Sequence, residues 1–286
     1  MNALTQIVLL GTGTPGPDPD RSGPATAIVV DGTPYLVDFG PGVVRRMAAA
    51  YRKGVKAFGF GVTNLRTVFL THLHADHTAG YPDLILTPWI MGRRQPLEVY
   101  GPKGLKAMTK HVLKAWELDI INRVRGAEKL PCAGCVVNVS EIEPGLIYED
   151  SNVSVTAFLV RHGSMENAFG FRFETPDKTI VISGDTAPAE GVIENSCGCD
   201  VLIHEAYSQE TFEKSSRKWQ TYRRKHHTSS QELAEIATRT RPGLLILYHR
   251  ASPGATALPN PEHVLLDEIR QLYKGNVVTG HDLDVF

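Results

Sequence analysis

The segment Val68-Phe-Leu-Thr-His72-Leu-His74-Ala-Asp76-His77-Thr-Ala-Gly80 constrains this chain more than any other. An apolar run of the kind that forms a buried strand ends at Thr71, and four metal-type side chains follow within six residues: His72, His74, Asp76 and His77. A strand end fixes the backbone, and the turn beyond it lets side chains at alternating and adjacent positions converge on one point. A lone histidine in such a place is ordinarily a hydrogen-bonded surface or core residue. Four donors together at a strand mouth point instead to a bound metal. The H-x-H-x-D-H spacing differs from the H-E-x-x-H of a zinc-protease helix, which excludes a helix-borne site of that type.

Three further donors end apolar runs later in the chain. His162 follows the run 155–160, Asp185 stands in Ile182-Ser-Gly-Asp185-Thr, and His249 ends Leu244-Leu-Ile-Leu-Tyr-His249. Neutral imidazoles with carboxylates suit zinc, and manganese and iron remain open.

The wider pattern says what could carry these donors. Strand signals fall at 6–10, 27–30 and 35–38, the last two flanking the turn Asp31-Gly32-Thr33-Pro34, and again at 67–71, 136–139, 153–160, 169–174, 179–183, 201–204, 244–248 and 276–278. Helical patterns cover 43–52, 79–91, 105–118, 229–240 and 261–273. The alternation runs through twice, before and after about residue 150. This predicts a single α/β domain over residues 1–286 made of two pseudo-repeated halves, 1–150 and 151–286. Its architecture would be an αββα sandwich of two mixed sheets flanked by helices.

Bulk properties exclude several classes. A net charge of −1 gives no global field toward nucleic acid or an anionic membrane, so any grip on nucleic acid has to be local. No window approaches the ~18 continuous apolar residues of a membrane span, and residues 1–10 lack the pattern of a secretory signal. Cys132 and Cys135 form a C-x-x-C, Cys197 and Cys199 a C-x-C tighter than zinc ribbons use, so the expectation is unpaired thiols in a cytoplasmic setting.

The His72–His77 signature, followed in order by His162, Asp185 and His249, resembles the metallo-β-lactamase superfamily. That resemblance implies the metallo-β-lactamase fold and a binuclear site. One metal would sit on His72, His74 and His162 and the other on Asp76, His77 and His249, with Asp185 between them. His74 stands where diiron oxygen-reducing relatives carry Glu, and Asp185 where β-lactam-hydrolysing relatives often carry Cys. Both differences point to a hydrolase with two Zn²⁺ acting on something other than antibiotics.

Ser183-Gly-Asp185-Thr-Ala-Pro, Asp200-Val-Leu-Ile-His204-Glu205-Ala206-Tyr207, His227-Thr-Ser-Ser-Gln-Glu-Leu-Ala and Leu10-Gly-Thr-Gly-Thr-Pro15 are more specific. Together they resemble the ribonuclease Z branch. The branch implies a phosphodiesterase in which a metal-bridged hydroxide attacks phosphorus while Asp76 orients the nucleophile. His227 would protonate the leaving group, and Glu205 would orient His227. It also implies a small-molecule or RNA phosphodiester substrate, a homodimer and no membrane partner. Three differences from the branch bear on substrate and leave the metal chemistry alone. No Gly- and Pro-rich arm motif lies between Asp76 and His162, Tyr207-Ser208 replaces Thr-Phe, and Arg-Ala-Ser-Pro follows His249.

Rival readings keep the same scaffold: an arylsulfatase-like sulfate-ester hydrolase, an iron-dependent oxidoreductase, or a metal-stabilised binding protein without activity. Gly11-Thr-Gly13-Thr-Pro-Gly16 matches a dinucleotide fingerprint, but the prolines that follow cannot open a helix, so it reads as a turn near Arg21 and Ser22. Residues 214–225 hold six cations with Trp219 and Tyr222 interleaved and are expected to form a solvated, mobile loop able to grip an anionic substrate. His204 is expected to be a hydrogen-bonded strand residue, His226 to face solvent, and His111, His263 and His281 to be structural or exposed. Trp89 and Trp116 are expected on a pocket wall or dimer surface.

Overall fold

The computed structural model describes residues 4–250 and 262–286. Ala-Ser-Pro after Arg250, and Pro261 at the expected start of the last helix, lie outside the described residues. Contacts divide the chain into two units, the first holding the residues up to Gly11 with Ser22–Ile142 and Asp282–Phe286, the second Thr12–Arg21 with Glu143–His281.

In the first unit β1 (Thr5–Gly11) pairs antiparallel with β2 (Ala25–Val30), which turns into β3 (Thr33–Val37). The turn is Asp31-Gly32, with φ of 45° and 76°, the two positive values that a tight hairpin of right-handed twist demands. From β3 the sheet continues parallel through β4 (Thr67–Phe69), β5 (Leu97–Gly101) and β6 (Val137–Glu141). The crossovers hold α1 (Val43–Arg52), α2 (Ala75–Thr78), α3 (Tyr81–Ile90), α4 (Leu105–Ala115) and α5 (Glu117–Arg125). α1 buries Val43, Val44, Met47 and Ala50, a stripe at helical spacing. Leu36, Phe39, Val68, Leu84 and Val99 join it in the core.

β1 is an edge strand, and residues 284–286 cover its edge: Ile7 N–H donates to Phe286 O (2.9 Å) and Leu9 N–H to Asp284 O (3.0 Å). Ser22 and Arg46 join the same corner through Asp282.

Two expectations change here. Trp89 is a core residue, 1% exposed, whose indole donates to Pro131 O, so it walls no pocket. The helix expected over 105–118 breaks at Trp116 and resumes to Arg125. α5 has no fully buried residue, sets only half-buried Ile120 and Val124 against the core and is laced by Asp119–Arg123 pairing, so its apolar signal is weak.

The second unit opens with an antiparallel meander: β7 (Gly145–Glu149), β8 (Ser154–Leu159), β9 (Phe169–Glu174) and β10 (Thr179–Ile182). It continues parallel through β11 (Val201–Ala206), β12 (Leu244–Arg250) and β13 (Val277–Thr279). α6 (Glu190–Ser196), α7 (Gln209–Glu213), α8 (Arg217–His226), α9 (Ser230–Thr240) and α10 (Glu262–Leu272) link the strands. Val181, Leu202, Leu233, Ile236, Leu247 and Ile269 share its core. Strands β8, β10, β11 and β12 all run the same way, so the residues beyond their carboxyl ends gather at one edge of this sheet.

The stretch 214–225 is not a loop. Most of it is α8, anchored by Arg223, which is 2% exposed with its guanidinium 5.4 Å from the Tyr207 ring. Arg, Lys and Gln are good helix formers even without an apolar stripe. The four cysteines are unpaired thiols. Among the described residues no helix is long and apolar enough to cross a membrane.

Candidate metal centre

In the first unit the backbone leaves β4 and delivers His72, His74, Asp76 and His77 within one short turn and α2. Phe39 N–H donates to His77 O and Gly80 N–H to Phe39 O, both at 3.0 Å, so α2 lies directly on the Phe39-Gly40 backbone. Only glycine fits at position 40, because a Cβ would stand 2.5 Å from Asp76 O.

Beneath these donors sits Asp38, 1% exposed. Its Oδ1 accepts Thr71 N–H at 2.8 Å and Thr71 O–H at 2.9 Å, and its Oδ2 lies 2.8 Å from His77 Nδ1. A carboxylate only accepts, so Nδ1 of His77 carries the hydrogen and Nε2 the lone pair. Thr71 gives its hydroxyl hydrogen to Asp38, so its oxygen accepts from His72 Nδ1 at 3.0 Å, leaving the lone pair of His72 on Nε2 as well. That Nε2 lies 3.0 Å from His74 Nδ1, and Asp76 Oδ2 lies 3.6 Å from His77 Nε2.

The second unit repeats the device. His162 stands three residues beyond β8, and its Nδ1–H donates to His226 O at 2.8 Å. Asp185, 3% exposed, follows β10, and its Oδ2 lies 3.4 Å from Nε2 of His249, the penultimate residue of β12. His227 Nδ1–H donates to Glu205 Oε1 at 2.9 Å, and Thr186 N–H donates to the same oxygen at 3.1 Å. Donor atoms of His162, Asp185 and His227 lie within 4.8 Å of one another, as do those of Glu205, His227 and His249. Burial, then the charge of Asp185, pushes the Glu205 carboxyl well above the usual range, and His249 draws it back.

These donor sets fit divalent metals. His72, His77 and His162 each have Nδ1 committed to an oxygen acceptor, which aims Nε2 and fixes its tautomer, the usual arrangement of a metal-ligating imidazole. Among the described residues these sets hold nitrogen and carboxylate donors and no thiolate, which suits zinc and also manganese or iron.

The other sequence expectations sort cleanly. His204 is fully buried in β11, with Nδ1–H on Glu205 O, and burial depresses its pKa to about 4. His226 is half-buried, stacked on Tyr222, while His111, His263 and His281 are exposed. Arg21 donates to Thr12 Oγ1 and Gly280 O and closes its own loop. In Tyr207-Ser208, Tyr207 covers Arg223 and Ser208 caps α7 and donates to Glu268. Sequence reasoning passed over Asp38, although it ends the apolar run Tyr35-Leu-Val just as the metal donors end theirs.

A family model described as the beta-lactamase superfamily domain matches residues 33–250. Ribonuclease Z of Mycolicibacterium gilvum is 32% identical over 249 residues, 86% of this chain and 84% of its own length. The metallo-beta-lactamase fold protein YhfI from Bacillus subtilis is 17% identical, with a TM-score of 0.74 over 99% of both chains. The short form of human tRNase Z is 23% identical, with a TM-score of 0.69 over 98% of both chains. The chain has the metallo-β-lactamase fold and belongs to that superfamily, within its ribonuclease Z-like branch of metal-dependent hydrolases.

Proposed function

We propose that this chain is a two-zinc phosphodiesterase of ribonuclease Z type, acting on RNA or a smaller phosphodiester. The observation that carries the reading is His227, held by buried Glu205, with its donor atom within 4.8 Å of those of His162 and Asp185. The proposed ligand sets are His72, His74 and His162 for one ion and Asp76, His77 and His249 for the other, with Asp185 shared. Two such ions supply, when bound, a water whose pKa falls toward ~7 and positive charge against the phosphate oxygens.

The chain's own residues do the rest. Asp76 orients the attacking water. As the P–O bond breaks, Nε2 of protonated His227 gives its hydrogen to the departing oxygen, the task of a general acid. Nδ1–H stays on Glu205 Oε1, which Thr186 N–H also engages, so this oxygen remains an acceptor throughout. The reading places the enzyme in the cytoplasm, in keeping with its unpaired thiols, as a homodimer. Trp116, Leu118 and Ile121, exposed along α4 and α5, support such a contact.

The test is turnover on a matched panel: aryl and alkyl phosphodiesters, sulfate esters, and a tRNA precursor with a 3′ trailer. Diester hydrolysis that stops on chelation is the expected result. Turnover of sulfate esters with every diester left intact would overturn the proposal.

A further inference from the structure

Helix α8 carries a surface that the hydrolytic chemistry does not use. One cation is turned inward: Arg223 is buried against Tyr207 and pins the helix down, while Arg224 stays exposed with its guanidinium 5.1 Å from the Phe212 ring. Rings run along the helix at i, i+3 and i+7: Trp219 and Tyr222 face outward, and half-buried His226 continues the row. Tyr222 stacks on His226 with centroids 4.0 Å apart and planes 13° apart, and Trp219 meets Tyr222 edge-on at 5.5 Å. Trp219 is 40% exposed and Tyr222 37%. Exposed Lys218 and Lys225, again seven residues apart, flank the stripe.

The stripe ends at a cavity of about 580 Å³ lined by Arg161, His162, Gly163, Lys225 and His226 among others. Gly163 is needed there, because a Cβ would overlap the His226 ring. The carboxyl end of α8 builds the cavity wall: Lys225 O accepts Gly163 N–H at 2.9 Å, and His226 O accepts Nδ1–H of His162. The ring stripe therefore leads straight to an imidazole assigned above to a metal.

We infer that the Trp219–Tyr222–His226 stripe and the adjoining cavity bind unpaired nucleotides of a single-stranded nucleic acid. Bases stack on the rings, and backbone phosphates meet Lys218, Lys225 and Arg161. A duplex hides its base faces from such a stripe, and a simple polyanion has no use for rings. Aromatic residues interleaved with cations give both contacts at once, without demanding a sequence. The cavity volume is that of a pocket taking one small ligand, such as a nucleotide. Delivery of the strand to a scissile bond rests on the phosphodiesterase reading, whereas binding does not, and the two separate in the test.

The experiment measures fluorescence anisotropy of a labelled, uncleavable 2′-O-methyl RNA single strand of about ten nucleotides, within the span of such sites. Trp219→Ala/Tyr222→Ala should weaken binding about tenfold per ring lost, the ~1.4 kcal/mol of one stacked base. Trp219→Phe/Tyr222→Phe should restore most of it. Lys218→Gln/Lys225→Gln should flatten the slope of log Kd against log salt by roughly 1.4, at ~0.7 per phosphate contact on a single strand. An unchanged Kd in the Ala pair, or equal wild-type affinity for a base-free polyanion such as heparin, would overturn the inference. Wild-type hydrolysis of bis(p-nitrophenyl) phosphate reports the phosphodiesterase reading separately. If that diester is cleaved and the Ala pair binds normally, only the nucleotide site falls. If ring-dependent binding holds while no diester is cleaved, the site stands and the reading of function falls.

Discussion

Replacing Asp38 with Asn tests whether the frame beneath the first histidine cluster sets the protonation of its imidazoles. Position 38 has a left-handed φ of 62°, which Asn tolerates well, and the two side chains have nearly the same shape, so backbone strain and packing stay constant. In Asp38→Asn the amide oxygen accepts from Thr71 as before, and the NH₂ takes the place of Oδ2, 2.8 Å from His77 Nδ1. Two donors cannot face each other, so His77 must carry its hydrogen on Nε2, the nitrogen assigned to a metal. Losing such an outer partner costs about 10–100-fold in metal affinity, roughly 1.4–2.7 kcal/mol. Asp38→Ala is harsher, because it strands three donors around a buried site and should cost about 3–5 kcal/mol of stability. At ~2–4 °C per kcal/mol for a chain of this size, Tm should drop by roughly 6–20 °C. Competition with a chromophoric chelator measures the first effect, and calorimetry of the apoprotein the second. Wild-type metal affinity in Asp38→Asn, with His77 still protonated on Nδ1 by ¹⁵N NMR, would refute the reasoning.

Three further outcomes are expected. His77→Ala should lose chiefly one ion of a pair and Asp185→Ala should weaken both, read by elemental analysis; one tightly held ion unaffected by Asp185→Ala counts against a shared carboxylate. His227→Ala should cost little on a nitrophenyl diester and ~10²–10⁴-fold on an alkyl or nucleotide diester, with Glu205→Gln a weaker copy; equal losses on both would deny His227 a proton-donating role. His204 is neutral in the folded chain down to about pH 4, whereas unfolded it takes up a proton near its ordinary 6.5. Stability should therefore fall as pH drops from about 6.5 to 4, by up to about 3 kcal/mol, and His204→Gln should flatten that limb in urea titrations.

The proposed donors stood out in the sequence because they lie at or just beyond the ends of apolar runs, a pattern that survives without any knowledge of pairing. The hairpin at Asp31-Gly32 was legible for a similar reason, since its turn chemistry is local. What escaped depends on contacts across the chain. β5 (Leu97–Gly101) is short and alternates buried with half-buried positions. β7 (Gly145–Glu149) is mostly exposed, and its apolar run, Leu146-Ile147-Tyr148, is only three residues long. Helix α8 looked like a charged loop because its fixed points are an arginine beneath a tyrosine and a Glu268 that holds the neighbouring α7 from α10. Neither partner is near in sequence. Asp38 escaped because a lone aspartate after a strand has many explanations, and only the three donor groups that converge on its carboxylate select one.

The seam between β1 and residues 284–286 has a consequence for synthesis on the ribosome. Ile7 and Leu9 take partners that emerge hundreds of residues later. Until then the first sheet presents an apolar strand, Thr5–Gly11, with a row of open backbone donors and acceptors. Nascent chains are therefore open to strand-to-strand association along β1. That exposure closes only when Leu283 N–H reaches Leu9 O and Phe286 N–H reaches Ile7 O.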